Sequence, residues 1–239
     1  MTLLLAAPKT ESHLYDCIDI RQVTRITYTG DPIPSTDLEQ LQTAALQKEV
    51  QSVIITRKED IEPFIKLVKE RSIRQFSNPS FVNELLSWIR FNKATAMKTG
   101  DGLYSATTGN PSVPTWLGKI FMKFAVNPKT EADKWVDLIH SSSDLMIFIA
   151  QRNDPKAWIN LGRSFERTML MATLLNIHHA NANMPCEEIE VSNKLIQQLH
   201  LTNGEQPLLL VRLGVSEKMP YSLRRPLGSV TFLDTNEMK

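Results

Sequence analysis

The sequence predicts an α+β or α/β protein in which helices cover both faces of a sheet. The unbroken apolar run at 145–150 is typical of a strand buried on both faces. Between Trp158 and Leu175, apolar side chains recur at helical spacing. Shorter apolar runs at 53–55 and 208–213 are separated from these segments by further helical patterns. Strands and helices are therefore interspersed along the chain.

The N-terminal quarter is predicted to contain a short helix, a turn, a second helix and a strand. The first helix covers 14–20, and the glycine and prolines at 30–34 indicate the turn. Thr36 and Glu39 have the spacing of a capping box, which satisfies free N–H groups at a helix start. The β-branched residues at 53–55 predict a buried strand.

The middle of the chain is predicted to hold two amphipathic helices and a long irregular segment. The helices cover 61–68 and the stretch from Pro79 to Ile89, each with an apolar face turned inward. From Thr99 to Lys119, six residues are glycine or proline, which predicts a long loop or lid. A short apolar helix is expected from Trp116 to Phe124.

The C-terminal part begins with the longest predicted helix. Asp154-Pro155 has the composition of a helix start, and the helix that follows is expected to be buried on nearly all sides. His178-His179 is expected in a loop or at a helix end, and Asn181 to Pro185 in a loop. The remaining predictions are a helix at 191–199 ended by Asn203-Gly204, a strand at 208–213 and a β-like end at 230–232.

Composition and charge exclude several classes of protein. Of 239 residues, 42% are apolar and 22% charged, as in globular proteins. The net charge of +1 gives no reason to expect nucleic acid or a membrane as a partner. No apolar stretch approaches the roughly 20 residues of a membrane span. Two cysteines, Cys17 and Cys186, are too few for a disulfide framework, so we expect a reducing, cytoplasmic location.

The common catalytic signatures are missing from the sequence. It has no P-loop, no GxGxxG, no GxSxG and no HExxH motif. His178-His179 has no carboxylate or cysteine at ligand spacing, so no metal site is predicted. We therefore expect no catalytic side chain: either a bound cofactor supplies the chemistry, or the protein is not an enzyme.

Three segments follow one another in an informative order. The first is Arg21-Gln22-Val23-Thr24-Arg25, followed by Pro32-Ile33-Pro34 and Ala44-Ala45. The second is the helix from Gly162-Arg163-Ser164 to Ile177. The third is Leu208 to Gly214 with the later Arg224-Arg225-Pro226. Together they resemble the FMN-dependent nitroreductase family over most of the chain.

The resemblance implies a nitroreductase-like α+β fold, with a central mixed or antiparallel sheet flanked by helices. It implies one domain over 1–239 with an inserted lid segment around 93–130. In the family, the N-terminal segment and the basic tail hold the flavin phosphate and the polar edge of the ring, and the loop after the central helix lies near the flavin N5. The matching cofactor-binding residues are Arg21, Gln22, Val23, Arg25, Asn181, Ala182, Asn183, Met184, Arg224 and Arg225.

The sequence departs from the family pattern at two places. Val23 stands where the family usually has serine. The family's Ser-x-x-Asn-x-Gln-Pro loop, which binds the phosphate and ribityl groups, is missing, because only Leu46 to Gln51 separate the helix from the next strand. These departures resemble the atypical Acg-like branch, which implies FMN binding with weak or absent turnover and a lid, here Thr99 to Lys119, over the flavin.

Three functional interpretations remain open. The first is an FMN-dependent oxidoreductase that takes a hydride from NAD(P)H at the flavin N5 and reduces nitroaromatics, quinones or similar small acceptors. The second is a non-catalytic protein that stores or sequesters FMN under the lid, and the third is a scaffold that binds no flavin. The resemblance implies a homodimer, with Trp116 or Phe121 covering the partner's flavin and the tail from Met219 to Phe232 wrapping the partner.

Overall fold

The computed structural model describes residues 13–125 and 127–231, with 123–125 described in backbone only. Its main sheet has four strands, each antiparallel to its neighbours, in the order β1-β4-β6-β5, and β2 and β3 form a separate parallel pair. The α+β class with a central antiparallel sheet is thereby confirmed. The strands are β1 (Val50–Ile55), β2 (Ile89–Arg90), β3 (Leu103–Tyr104), β4 (Asp144–Ala150), β5 (His178–Asn181) and β6 (Gln206–Gly214).

Helices cover both faces of the main sheet. Short 3-10 turns occur at Ser105–Thr108 and Leu227–Ser229. None of the described helices is long and apolar enough to cross a membrane. The helices are α1 (Ser35–Ala44), α2 (Lys58–Phe76), α3 (Pro79–Trp88), α4 (Lys93–Thr99), α5 (Thr115–Ala125), α6 (Pro128–His140), α7 (Pro155–Leu174), α8 (Met184–Glu187) and α9 (Ile189–Gln198).

Strand β4 organises the core, as its unbroken apolar run predicts. All seven of its residues are buried, and successive side chains point to opposite faces of the sheet. Its odd-numbered members pack against α2, α6 and α9, whereas its even-numbered members pack against α1 and α7. Each side of the sheet therefore has its own apolar cluster, and β4 joins the two.

Helix α7 begins where the sequence predicts. The side chain of Asp154 accepts a hydrogen bond from the Ala157 N–H at 2.9 Å, and Pro155 occupies the first turn. The expectation that this helix is buried nearly all round is wrong, because Trp158, Ile159 and Leu174 are exposed. Only the side facing the sheet and α1 is covered.

Two predictions near the N-terminus are wrong. Residues 13–20 form turns rather than a helix. The capping box at Thr36 and Glu39 does not form, because Pro34 occupies the N-cap position and provides no side-chain acceptor. The predicted strand at 53–55 is confirmed within β1, but β1 lies at the sheet edge and Val53 is exposed.

Further along the chain, His178-His179 lies in strand β5 and not in a loop or at a helix end. The predicted loop at 181–185 is replaced in part by β5 and the short helix α8. At the C-terminus, the predicted β-like end does not form at 230–231, where a 3-10 turn precedes irregular backbone. Phe232, the last residue of that prediction, lies outside the described residues.

The segment from Thr99 to Lys119 is more ordered than the loop or lid expected from its composition. It contains the end of α4, strand β3, the 3-10 turn at 105–108 and the start of α5. Its glycines occupy the left-handed backbone region at Gly100, Gly102 and Gly109, where they end or connect these short elements. Glycine here permits tight turns between elements rather than a long irregular loop.

Candidate functional site

An open cavity of about 660 Å³ lies between the C-terminal tail and the segment around β3. Arg25 enters it from the N-terminal segment. Its volume falls within the roughly 300–1,000 Å³ of small-molecule and cofactor sites. The full lining is Arg25, Ala96, Met97, Gly100, Asp101, Gly102, Leu103, Tyr104, Thr107, Ser222, Leu223, Arg224, Arg225, Pro226 and Val230.

A second cavity, of about 160 Å³, adjoins the first. The two share Arg25, Thr107, Ser222 and Arg224, and the second extends the site toward Arg21. We call the two cavities together the basic cleft. The other residues that line its smaller part are Gln22, Val23, Pro220 and Tyr221.

Four arginines line the basic cleft, and three of them have no side-chain partner among residues 13–125 and 127–231. Arg21 is paired, with 3.0 Å between its Nε and Oε1 of Glu166. The other three, Arg25, Arg224 and Arg225, form no hydrogen bond or ion pair through their side chains within those residues. Although Arg25 is exposed, the protein around it removes part of its hydration, which lowers its pKa. Guanidinium groups in this situation favour a phosphate or carboxylate ligand, which accepts paired hydrogen bonds.

The carboxylate in the basic cleft forms no ion pair with Arg25, Arg224 or Arg225, although the charge of Arg225 contributes to lowering its pKa. Asp101 is bound instead by Arg90, with 2.7 Å between Nη2 and Oδ1. The hydrogen bond from Arg90, followed by that from Thr99, holds the pKa of Asp101 below its usual range. Asp101 is therefore an ionised acceptor and not a proton donor near neutral pH.

The two ends of the described chain meet at Gln22. Its Nε2 donates to the Met219 carbonyl at 2.6 Å, and the Met219 N–H donates to its Oε1 at 3.0 Å. The Tyr221 hydroxyl also donates to the Ile20 carbonyl at 3.1 Å. These three bonds bring the arginines of the tail beside those of the N-terminal segment.

Arg212 on β6 holds the N-terminal segment in place through hydrogen bonds to its backbone. Its side chain is fully buried and donates to the carbonyls of Thr24 at 3.2 Å, Ile26 at 2.7 Å and Leu138 at 3.2 Å. Its guanidinium also lies 4.0 Å from the centre of the Tyr28 ring. Because Thr24 and Ile26 flank Arg25, this buried cation determines where the Arg25 backbone enters the cleft.

His179 on β5 also contacts the N-terminal segment, through its backbone. Its carbonyl accepts from the Thr24 N–H at 2.9 Å, and it forms an isolated parallel bridge with Val23. Its ring is buried edge-on to Phe165, and neither ring nitrogen has a hydrogen-bond partner in the described part of the chain. Burial, and then the charges of Arg21 and His178, lower the pKa of His179 to about 3. The imidazole is therefore neutral at neutral pH.

The described residues show no metal-binding group of three or more histidine, cysteine, aspartate or glutamate side chains. Cys17 and Cys186 are both free, and burial raises the pKa of Cys186 to about 12. What the basic cleft offers is positive charge, backbone and a partly apolar wall. Such a site can hold an anionic ligand with a flat body.

No protein-family model and no curated protein gives a significant match to the sequence. Solved structures do match its backbone. A mutant of NfnB, an FMN and NADPH-dependent nitroreductase from Sphigopyxis sp. strain HMH, matches with a TM-score of 0.58 at 12% identity, over 93% of this chain and 99% of that one. The fold is nitroreductase-like.

Two further structures with this fold are nitroreductases with bound FMN. The protein from Desulfitobacterium hafniense has a TM-score of 0.56 at 10% identity, over 93% of this chain and 98% of that one. The protein from Bacteroides fragilis has a TM-score of 0.53 at 15% identity, over 92% and 98%. These values establish the nitroreductase-like fold, which is the fold predicted from the three sequence segments.

The nitroreductase-like fold brings together six of the ten predicted site residues and separates four from them. Those that line the basic cleft are Arg21, Gln22, Val23, Arg25, Arg224 and Arg225. Asn181, Ala182, Asn183 and Met184 do not line it. Ala182 and Met184 lie in the apolar cluster beneath α2 and α9, and the Asn183 side chain accepts from the Leu210 N–H at 3.1 Å. Asn181, at the end of β5, is exposed.

The lid predicted from Thr99 to Lys119 includes the wall formed by β3 and its neighbours, but the sequence singles out none of the residues that line the cleft. The sequence signal for this wall is Gly100-Asp101-Gly102, which does not match a dinucleotide-binding motif. In the structure its two glycines have φ values of +63° and +78°. A Cβ at Gly100 would lie 3.4 Å from Cγ of Arg225. Glycine there lets the backbone approach the tail and leaves room for the cavity.

Proposed function

We propose that the chain binds FMN in the basic cleft and acts as an oxidoreductase that uses NADH or NADPH as electron donor. The observation that carries the proposal is the convergence of Arg25, Arg224 and Arg225, which have no side-chain partner among the described residues, on one cavity of about 660 Å³. A phosphate with a charge of about −2 is a ligand of the right chemistry for them. The nitroreductase-like fold supports the choice, since solved structures with this fold hold FMN.

The lining of the basic cleft fits both ends of such a ligand. The arginines would hold the phosphate, with Arg21 at the far end of the cleft. Met97, Leu103, Tyr104 and Leu223 provide an apolar and aromatic wall for the ring system. When bound, FMN supplies the hydride and electron transfer, which explains a cleft without an acid or base suited to catalysis. The part of the chain is to hold the ligand, orient it and exclude water.

Several finer points belong to the same proposal. The acceptor is a flat small molecule such as a nitroaromatic or a quinone, because it would share the apolar wall that accommodates the ring. The chain works as a homodimer of the symmetric kind common among soluble proteins, with the tail contributing to the partner's surface. We also propose that residues 1–239 form one domain, with 93–130 as an insertion that supplies one wall of the cleft.

Storage of FMN without turnover is the second candidate, and one observation favours it. The wall at 100–104 and the tail at 222–226 face each other across the cavity, so they could restrict access to a bound ring. A third candidate, a scaffold without flavin, is favoured by the short connection between α1 and β1, which consists of Ala45 to Glu49. It leaves no room there for an additional phosphate-binding loop.

The experiment is a titration with FMN, in which binding is monitored through the quenching of flavin fluorescence. Replacement of two of these guanidinium groups in Arg25→Ala/Arg224→Ala should weaken binding at least about 100-fold, since bonds to charged groups contribute about 1.5–3 kcal/mol each. Arg163→Ala is the matched control, because Arg163 is exposed on α7 and does not line the cleft. Equal affinity for the double variant and the wild type would refute the proposed site.

A second step separates the candidates. NADPH or NADH is added without oxygen to the FMN-loaded protein, and the absorbance of the oxidised flavin is followed. Loss of that absorbance within seconds, and its return with a quinone, identifies the oxidoreductase. Retained absorbance with tight binding identifies storage, and no binding identifies the scaffold.

A further inference from the structure

Arg90 lies behind the wall of the basic cleft and does not line it. Its side chain is only 12% exposed, although it carries a charge. At the end of α3, its Nη1 donates to the Ser87 carbonyl at 2.6 Å. Its Nη2 and Nε both donate to Oδ1 of Asp101, at 2.7 and 3.1 Å. One side chain therefore ties the end of α3 to the turn that carries Asp101.

The turn at 100–102 is built over this guanidinium. A Cβ at Gly102 would lie 2.9 Å from both Nε and Cζ of Arg90, well inside the roughly 3.5–4.0 Å at which carbon atoms pack. The Arg90 Nε also donates to Oγ1 of Thr99, at 3.1 Å, just before the turn. Glycine at 102 thus lets the backbone close over the Arg90 side chain, and the Asp101 carboxylate is held there.

Arg225 is the arginine of the basic cleft that lies against the same turn. A Cβ at Gly100 would be 3.4 Å from its Cγ and 3.6 Å from its Cδ. The pKa of Asp101 is lowered by the hydrogen bonds from Arg90 and Thr99, and in smaller part by the charge of Arg225. Within residues 13–125 and 127–231, however, Asp101 forms its ion pair with Arg90, and Arg225 forms none. The chain thus keeps this carboxylate apart from an arginine beside it.

We propose that Arg90 is a positioning residue of the basic cleft: by holding the Asp101 carboxylate, it leaves the guanidinium of Arg225 available to an anionic ligand. Without Arg90, the carboxylate would pair with Arg225, and a phosphate would have to break that pair before it could bind. Arg90 itself does not line the cleft, so it acts through Asp101. The inference rests on the proposed function, because the ligand concerned is the anion that the cleft binds.

The first test is a titration of Arg90→Met with FMN, monitored through the quenching of flavin fluorescence. This variant keeps the carboxylate and loses the group that holds it. Its affinity should fall about fivefold, the upper range for an exposed ion pair that the ligand must break. Since salt screens exposed charges, the loss should shrink in high salt. A loss that does not depend on salt would contradict the inference.

The decisive variant is Arg90→Met/Asp101→Asn, which removes both charges and has the same net charge as the wild type. Its FMN affinity should return to within about twofold of the wild type. Asp101→Asn alone removes the acidic group beside Arg225 and should bind FMN about two- to fivefold more tightly. If Arg90 merely held the turn, Asp101→Asn would weaken binding and the double variant would bind no better than Arg90→Met. Asp101 is 46% exposed, so Asp101→Asn decides the question even if Arg90→Met does not fold.

The matched control is Arg57→Met and its combination with Asp60→Asn. This pair has the same chemistry, with 2.7 Å between Nε of Arg57 and Oδ2 of Asp60, and does not line the cleft. Both control variants should bind FMN like the wild type. Losses equal to those at Arg90 would mean that any lost ion pair lowers the affinity, and would overturn the inference.

Pyrophosphate, titrated by calorimetry, is the second probe, because it carries the charge without the ring system. Wild-type protein that binds pyrophosphate but not FMN would refute the proposed function alone, and the order of the variants with pyrophosphate then decides the inference. Wild-type protein that binds FMN, with no gain of the double variant over Arg90→Met, would refute the inference alone. Binding of neither probe would overturn both.

Discussion

Strand β4 and the C-terminal tail are at opposite ends of the range of burial in this molecule. Every residue of β4 is buried and contacts helices on both sides of the sheet, so its position is fixed by the core alone. Every residue from Pro220 to Val230 is exposed, and the tail is held by hydrogen bonds at Met219 and Tyr221. The candidate site is built between these extremes. The sheet is thus held by its own packing, whereas the tail side of the basic cleft is held by a few polar contacts.

The largest effect is expected from a cavity in the core. Phe148→Ala removes a fully buried ring of β4 that packs edge-on against Phe165, and it should cost about 3–5 kcal/mol of the free energy of unfolding. Leu227→Ala, which truncates an exposed tail residue, should change that free energy by less than about 0.5 kcal/mol. Urea denaturation measures both. Similar losses in the two variants would remove the contrast between β4 and the tail.

A smaller effect is expected at the junction of core and cleft. Arg212→Met removes the donor of the Ile26 carbonyl and one donor each from the Thr24 and Leu138 carbonyls, which keep the hydroxyls of Tyr28 and of Ser141 and Ser142, at a cost of about 2–3 kcal/mol. Arg212→Lys keeps a donor and should lose less. FMN affinity, measured on folded protein, should fall in Arg212→Met because Arg25 is repositioned. Unchanged affinity would show that the tail alone holds the ligand.

The buried imidazole should make stability depend on pH. His179 has a pKa of about 3 in the folded state and about 6.5 when unfolded, so the unfolded chain binds more protons between these values. Stability is therefore fully present above pH 6.5 and is lost as the pH falls. Between pH 7 and pH 5 this group should cost about 2 kcal/mol.

The variant that isolates this effect is His179→Phe, which keeps a ring beside Phe165. Its free energy of unfolding should fall less than that of the wild type between pH 7 and pH 5, as urea titrations at each pH would show. Parallel curves for the two proteins would mean that His179 is protonated without penalty.

The smallest effect is expected in the wall of the cleft. Gly100→Ala places a Cβ 3.4 Å from Cγ of Arg225 at a φ of +63° and should cost about 1–2 kcal/mol. Gly228→Ala in the tail meets nothing within 4 Å and should be close to neutral. Thermal unfolding compares the two. Equal melting temperatures for the two variants would show that the wall of the cleft accommodates a Cβ as easily as the tail does.

The same contrast explains how far the sequence predicts the structure. The run at 145–150 and the stripe on α7 report burial directly, and both elements form where predicted. The turns at 13–20 and the missing capping box depend on which neighbour supplies a hydrogen bond, and composition does not contain that information. His178-His179 was assigned to a loop or helix end because the partner that makes it a strand, β6, lies about 30 residues further along the chain.

The candidate site was predictable in its charge and not in its walls. Arginine is recognisable in any sequence, and the resemblance supplied the order in which Arg21, Arg25, Arg224 and Arg225 occur. The resemblance places Thr99 to Lys119 over the site, but the pattern does not identify 100–104 as its lining, because their position depends on the pairing of the two-residue strands β2 and β3. Only the resemblance places 181–184 at the site; in the structure Ala182 and Met184 are buried in the apolar cluster, whereas Asn181 is exposed.

The most direct test of the central claim is an absorption spectrum of the purified protein after FMN has been added and the excess removed by gel filtration. If the basic cleft is a flavin site, the flavin band elutes with the wild-type protein and is lost from Arg25→Ala/Arg224→Ala. The Arg163→Ala control keeps it. A wild-type protein that elutes folded and without a flavin band would contradict the account.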